Sequence, residues 1–161
     1  MQAKEIAALG VFAAAGAGIH AAEALLPPIV PIPGIKPGLA NIITLMVLRR
    51  YSPRAAAMVL IVRIAIAALL SGNVSGLAYS LAGGILSFAV SAFVYRVLGR
   101  DGLWFAGVAG ALAHNGAQLA VAVFIMGKGV LVYAPFLAVA GCITGLFTGL
   151  AATFASDKLS P

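Results

Sequence analysis

The chain has 161 residues, of which 63% are hydrophobic and only 9% are charged, and its formal net charge is +6. A water-soluble domain of this length needs a polar exterior that this composition does not supply. We therefore predict an integral membrane protein with a single domain. The basic residues cluster in the way that membrane topology requires, so their charge does not indicate binding to nucleic acid. The one cysteine, Cys142, excludes an internal disulfide framework.

Six apolar segments are predicted to be transmembrane helices, at about residues 5–25, 38–49, 54–70, 76–97, 103–126 and 131–155. The first runs into His20 and Glu23 without a clear cleavage site, so we interpret it as a helix and not a signal peptide. A spanning helix needs about 20 apolar residues, whereas the second segment would rise only about 18 Å. The proline-rich segment 26–37 before it is expected to cover the remaining thickness. The predicted fold is an all-α bundle of six transmembrane helices over residues 1–161.

The basic residues predict the orientation of this bundle. One set of helix ends carries Lys4, Arg49, Arg50, Arg54, Arg96, Arg100 and Lys158. The opposite ends carry only Lys36 and Lys128, and Arg63 lies within a span. Because cytoplasmic loops of membrane proteins are enriched in Lys and Arg, both termini are predicted to be cytoplasmic, with the chain in the plasma membrane. The proline-rich segment is then external.

Polar side chains within the apolar spans predict a binding site. They are His20, Glu23, Asn41, Arg63, His114, Asn115 and Gln118. Such groups are unfavourable in a membrane, so they usually face a cavity. Under the predicted topology they lie between the midplane and the external surface, below Lys36, and Asn73 lies in an external loop. We predict that these nine residues bind a small-molecule substrate in an outward-facing pocket, with the proline-rich segment as its lid.

The chemistry of these residues leaves several interpretations open. The basic groups outnumber Glu23, which favours an anionic or strongly hydrogen-bonding solute, and the start of the second helix could also attract an anion. Alternatively, Arg63 can form a structural ion pair with Glu23, and His114 can be a neutral histidine bonded to a neighbouring helix. Asn115 and Gln118 can be hydrogen-bonding groups between helices. The external lysines can be solvated or bound to membrane lipid.

A stripe of small residues on the first helix comprises Gly10, Ala13, Ala14, Ala17, Gly18, Ala21 and Ala22. Such stripes let helix backbones approach closely in lipid. His20 and Glu23 lie about 140° away from its centre around the helix. The small-residue stripe can pack within this protein or dock on a partner subunit. Similar spacings at Gly141, Gly145 and Gly149, and at Ser80, Gly84, Ser87 and Ser91, are interpreted as internal packing.

Motifs for catalysis are missing from the sequence. There is no GxxxxGK[ST] phosphate-binding loop, so the chain cannot use ATP alone. Its two aspartates, Asp101 and Asp157, lie near the predicted cytoplasmic surface, and no carboxylate cluster could hold magnesium and a diphosphate. The spacing of His20, Glu23 and His114 matches no metal-ligand motif. No cofactor, no metal and no enzymatic activity of the chain alone are predicted.

Three stretches resemble a known family: PGIKPGLANIITL, RIAIAALLSGNVSGLAYSLAGGILS and GALAHNGAQLAVA. Over about residues 5–155 the chain looks like a member of the heptaprenyl diphosphate synthase component I family, also called the Gx transporter family. The family pattern has PGxKxGLAN, R…LLSG, SLAGG and AHNxxQ blocks, which lie here at residues 33–41, 63–72, 80–84 and 113–118. Pro37 departs from this pattern, and it can stiffen the lid or begin the second helix.

That family is similar to the substrate-binding S components of energy-coupling factor (ECF) transporters, which are six-helix membrane proteins. The resemblance implies a subunit that captures a vitamin or related small molecule and associates with a transmembrane coupling subunit and two ATPase subunits. It also implies that six residues of the small-residue stripe contact the coupling subunit: Gly10, Ala13, Ala14, Ala17, Gly18 and Ala21. The family name implies an isoprenoid connection. Two alternatives stay open: a non-catalytic membrane accessory subunit of a prenyl diphosphate synthase, and a stand-alone transporter or channel.

Overall fold

The computed structural model describes residues 3–23, 25–26, 30–32, 35–71 and 74–158. These residues form six α-helices: α1 (Ala3–Glu23), α2 (Asn41–Arg50), α3 (Pro53–Ser71), α4 (Val74–Leu98), α5 (Leu103–Met126) and α6 (Ala134–Lys158). Short 3₁₀ turns at Arg100–Gly102 and Lys128–Tyr133 precede α5 and α6. No strand occurs in the described part of the chain. The prediction of an all-helical fold with six helices is confirmed.

Five of the six helices, all except α2, are long and apolar enough to cross a membrane. The exception, α2, has ten residues and is therefore about 15 Å long. The sequence-based prediction of six spanning helices is thus corrected to five, with one short helix inside the bundle. The described helices are those of a multi-pass membrane protein.

Three apolar residues that precede α2 lie inside the bundle. Val30, Ile32 and Ile35 are almost fully buried, and they pack in one cluster with side chains of α4, α5 and α6. The chain then runs without helical structure to residue 40; residues 35–40 are called the strap below. Gly38 has a φ angle of +79°, a conformation that favours glycine. Within the proline-rich segment 26–37, Val30, Ile32 and Ile35 are thus buried, whereas Leu26 and Pro31 are exposed.

Glycines allow the backbones of α5 and α6 to touch. A β-carbon added at Gly145 would lie 2.6 Å from the Cα of Val108, and one added at Gly149 would lie 2.6 Å from the carbonyl oxygen of Trp104. Each distance is too short for a real contact, so a larger residue would force the helices apart. The prediction that the glycines of the last helix serve internal packing is confirmed.

The ends predicted to be rich in basic residues do meet at one end of the bundle. Arg49, near the end of α2, donates hydrogen bonds to the carbonyl oxygen of Thr153 at 3.2 Å and to Asp157 at 2.6 Å, both near the end of α6. Leu9 of α1 and Leu103 of α5 share a hydrophobic cluster at this end. That this end is cytoplasmic stays a prediction.

Candidate ligand-binding site

A small cavity lies where α1, the strap and α2 to α5 converge, and most of the residues that line it are polar. The lining residues are His20, Glu23, Lys36, Gly38, Asn41, Arg63, Ile64, Ser80, His114 and Gln118. We call this cavity the polar chamber. The space open to the centre of a water molecule is about 10 Å³, which is room for about one water. A larger ligand therefore requires the strap or a neighbouring side chain to move.

Glu23, the last residue of α1, holds the strap in place. One carboxylate oxygen accepts a hydrogen bond from the backbone N–H of Leu39 at 2.5 Å, and the other accepts one from Ala40 at 3.4 Å. These N–H groups precede the first turn of α2, where a negative charge is favourable. No side chain of α2 itself caps this end. Glu23 thus occupies the anion position that the sequence had suggested for a ligand.

Lys36 joins the strap to two helices. Its backbone N–H donates to the Oε1 atom of Gln118 at 3.2 Å, and its ammonium lies 3.2 Å from the Nε2 atom of His20. His20 also lies 3.5 Å from the hydroxyl of Ser80. Burial lowers the pKa of Lys36 below its ordinary value, and the Glu23 carboxylate partly offsets this shift. The lysine is a half-buried member of the chamber wall.

Arg63 brings a buried cation to the chamber from the middle of α3. Only 3% of its surface is exposed, and one terminal nitrogen donates to the Oδ1 atom of Asn41 at 2.6 Å. Its Nε–H has no hydrogen-bond partner in the described part of the chain. The stem of Arg63 fits against Gly16, where an added β-carbon would lie 3.0 Å from Cδ. Arg63 is therefore hydrogen-bonded to Asn41. The alternative interpretation, a structural ion pair between Arg63 and Glu23, does not describe its contacts.

Asn41 and His114 link α2 to α4 and α5. The side-chain nitrogen of Asn41 donates to the hydroxyl of Ser87 at 3.2 Å and lies 3.5 Å from the Nδ1 atom of His114. The other ring nitrogen of His114, Nε2, is buried and has no partner among the described residues. A β-carbon added at Gly38 would lie 3.2 Å from this nitrogen, so the imidazole faces the strap.

Seven of the nine predicted substrate-binding residues therefore line one chamber, and the other two do not. Asn115 points toward α6, where its side-chain nitrogen donates to the carbonyl oxygen of Leu137 at 2.8 Å. It behaves as a hydrogen-bonding group between helices. Asn73 lies outside the described residues. Among the described residues, no group of three or more His, Cys, Asp or Glu side chains could hold a metal ion.

Three residues of the chamber wall were not singled out as ligand-binding positions from the sequence: Gly38, Ile64 and Ser80. Ser80 belongs to a row of small residues that the sequence analysis interpreted as internal packing. Other members of this row do pack against neighbouring helices. Gly84 in that row faces Leu60 and Ile64 at short distance, and Ser91 donates to the carbonyl oxygen of Ala106 at 3.0 Å. The helical spacing of small residues in a sequence does not show which of these residues will line a cavity.

The small-residue stripe of α1 has an inner and an outer edge. Ala13 and Ala17 are buried and contribute to the core of this chain. Gly10, Ala14, Gly18 and Ala21 are exposed. A β-carbon added at Gly10 or Gly18 would meet nothing within 4 Å. These four residues form an exposed edge, which we call the outer α1 edge.

A family profile described as heptaprenyl diphosphate synthase component I matches residues 12–155, which is nearly the whole chain. The chain belongs to the heptaprenyl diphosphate synthase component I family. No curated protein and no solved structure matches it.

The four sequence blocks by which the chain resembles this heptaprenyl diphosphate synthase component I family meet in the structure. The PGIKPGLAN block supplies the strap and Asn41, and the block that begins at Arg63 supplies the buried cation. The SLAGG block supplies Ser80, and the AHNGAQ block supplies His114 and Gln118. All four blocks thus contribute side chains to the polar chamber.

Proposed function

We propose that this chain is the substrate-binding subunit of an importer of the energy-coupling factor type, and that it captures a small organic solute in the polar chamber. The observation that carries the proposal is the convergence of all four family blocks on one chamber beneath the strap. If the four blocks served only to pack helices together, their polar side chains would not need to meet at one cavity.

The unsatisfied hydrogen-bonding groups of the chamber support a ligand. Arg63 Nε and His114 Nε2 are buried polar atoms without partners among the described residues. Each such atom costs about 1–3 kcal/mol when it stays unpaired. Buried polar groups normally have partners, and a ligand that accepts or donates hydrogen bonds would satisfy these two. The strap then acts as the lid over the ligand.

The composition of the chamber favours binding over catalysis. The chain has four acidic residues, Glu5, Glu23, Asp101 and Asp157, of which Glu23 alone lines the chamber. Its carboxylate oxygens already accept hydrogen bonds from Leu39 and Ala40. No second carboxylate is present in the wall to help hold magnesium. The Ser80 hydroxyl lies 3.5 Å from the Nε2 atom of His20, but the ammonium of Lys36 lies 3.2 Å from the same nitrogen, so this imidazole is not free to act as a base toward Ser80. Capture and release of a ligand need neither a bound metal ion nor a nucleophile.

The proposal includes partners and an orientation. The outer α1 edge, Gly10, Ala14, Gly18 and Ala21, is the surface on which a transmembrane coupling subunit would dock, and two ATPase subunits would supply the energy. The end that carries Arg49 would be cytoplasmic, and the strap would face outward. Membrane lipid would cover the other exposed apolar faces, and the site of action would be the plasma membrane.

The test of this function is purification of the tagged chain from native membranes, followed by reconstitution. We expect a membrane coupling protein and two ATPases to purify with it, and ATP hydrolysis inside the vesicles to drive uptake of the captured solute. Recovery of the chain without any ATPase, together with uptake by the chain alone, would reject the proposal in favour of a stand-alone transporter.

The family description supports a second candidate. The word component implies a further component of the synthase, so the chain could instead be a non-catalytic membrane subunit that binds a soluble prenyl diphosphate synthase. In that case the soluble enzyme would purify with the chain, and the Arg63→Gln variant would leave prenyl transfer unchanged because the chamber would have no part in it.

A further inference from the structure

The charges around the polar chamber do not balance. Arg63 and Lys36 each bring a positive charge to its wall, whereas Glu23 brings the only carboxylate. Protonation of His20 or His114 would add a further positive charge, and neither histidine can supply a negative one. With both cations charged, the wall carries one net positive charge in a buried setting, where an uncompensated charge is unfavourable.

Glu23 cannot form a direct ion pair with Arg63 by a small movement. Its two oxygens are bonded to the backbone N–H groups of Leu39 and Ala40, and release would leave those donors without a partner at the start of α2. Arg63 instead uses the neutral Oδ1 atom of Asn41 as its acceptor. An amide oxygen satisfies one N–H group of the guanidinium but does not neutralise its charge.

Hydrogen-bond donors remain for an anion. The guanidinium of Arg63 has five N–H groups, and its Nε–H is without a partner in the described part of the chain. The ammonium of Lys36 has three N–H groups, one of which is directed at His20. A guanidinium edge and an ammonium together match the oxygens of one planar anion.

We infer that the polar chamber binds the carboxylate group of a small monoanionic solute between Arg63 and Lys36. The inference rests on the proposed capture function and adds the chemical class of its substrate. One negative charge neutralises the wall, whereas a diphosphate would bring an excess of negative charge next to Glu23.

The geometry also indicates how such an anion would change the strap. Lys36 is fastened to α5 through Gln118 and to α1 through His20. A carboxylate that draws the ammonium of Lys36 toward Arg63 would break its contact with His20 while leaving the backbone bond to Gln118 in place. Ligand capture would thereby exchange the contact of the strap with α1 for a bridge through the ligand to Arg63 of α3, and the charged form of Lys36 would be favoured.

The test uses formate as the smallest carboxylate probe and formamide as its neutral counterpart. The full chain, labelled with ¹⁵N-arginine and held in lipid nanodiscs, is titrated at constant ionic strength while the Nε–H signals of its arginines are followed by NMR. The Arg63→Lys variant identifies the signal of Arg63, and Arg54→Lys, at an exposed position on the same helix, is the control.

Formate is expected to move the Arg63 signal in a saturable manner, and formamide is expected to leave it in place. Lys36→Gln should weaken formate binding at least about tenfold, which is the effect of losing one charge-assisted hydrogen bond, whereas Lys128→Gln should not change it. Equal effects of formate and formamide, no formate effect on Arg63, or tighter binding of inorganic diphosphate would each overturn the inference.

The outcomes separate this inference from the proposed function. If the chain purifies with a coupling subunit and ATPases but ignores formate, the importer function stands and its ligand is neutral or cationic. If formate binds at Arg63 but no ATPase purifies with the chain, the anion site stands and the importer assignment fails.

Discussion

Glu23 of α1 accepts a hydrogen bond from the backbone N–H of Leu39 at 2.5 Å. This contact joins two segments that are separated by sixteen positions in the sequence, and it caps the start of α2 from another helix. A ten-residue helix with no cap of its own depends on such an external acceptor. The relationship explains why a carboxylate can be buried at 4% exposure inside the helix bundle.

Replacement of this carboxylate should loosen the strap. Glu23→Gln keeps the shape of the side chain but removes the charge that the N–H groups of Leu39 and Ala40 bind. We expect a loss of about 1–3 kcal/mol in the free energy of unfolding, and faster hydrogen exchange at these two amides. Exchange measured by mass spectrometry in nanodiscs checks this. Asp101→Asn, at an exposed position, is the control, and unchanged exchange at the strap would contradict the role of Glu23.

The position of the His114 ring leaves no room for a side chain at residue 83, which is Gly83. A β-carbon at this position would lie 2.8 Å from the Cε1 atom and 2.9 Å from the Nδ1 atom of His114, so Gly83→Ala must displace the imidazole. We expect ligand affinity to fall at least about tenfold, together with a stability loss of about 1–3 kcal/mol. Gly116→Ala is the matched control, because nothing lies within 4 Å of that position. Equal affinities of the two variants would show that His114 has no part in binding.

Asn115 and Gln118 should have different roles although both are polar residues of α5. Asn115→Leu removes the bond to the Leu137 carbonyl and should lower thermal stability while leaving the ligand affinity of the folded fraction intact. Gln118→Leu removes the acceptor of the Lys36 backbone N–H, and it should weaken ligand binding by freeing the strap. Thermal unfolding and binding isotherms of both variants distinguish the two effects. A larger loss of affinity in Asn115→Leu would reverse the assignment.

The outer α1 edge should control association with a partner and not ligand binding. Gly18→Leu places a large side chain where the native surface is open, so the fold should tolerate it, but close approach of another helix should be blocked. We expect the coupling subunit to be lost from purified samples while the ligand is retained. Gly116→Leu, at an equally open glycine of α5, is the control. Loss of both partner and ligand in Gly18→Leu would show that this position serves internal packing.

The sequence was informative about the chamber because polar residues are so rare in these spans. Seven of the predicted binding residues meet because each is at a similar depth, and depth follows from counting positions along a helix. The direction in which a side chain points around the helix axis is harder to predict from the sequence than its depth. Asn115 differs from His114 by one position, or about 100°, and that rotation turns it from the chamber to the carbonyl of Leu137.

Other features could not be predicted because they depend on distant segments. The length of α2 is limited by the strap, whose path follows from the burial of Ile32 and Ile35 against α4, α5 and α6. The acceptor for the start of α2 comes from Glu23, and no local motif identifies it. The small-residue stripe was found from its spacing, but the burial of Ala13 and Ala17 depends on the packing of α1 against the bundle.

The most direct test of the account is to identify the small molecules that remain with the chain after purification in mild detergent. Mass spectrometry should compare the wild type with Arg63→Gln, and with Lys128→Gln as a variant outside the chamber. We predict that one solute bearing a single carboxylate is retained by the wild type and by Lys128→Gln, and is lost from folded Arg63→Gln. Samples in which no solute depends on Arg63 would contradict the claim that the polar chamber is a substrate-binding site.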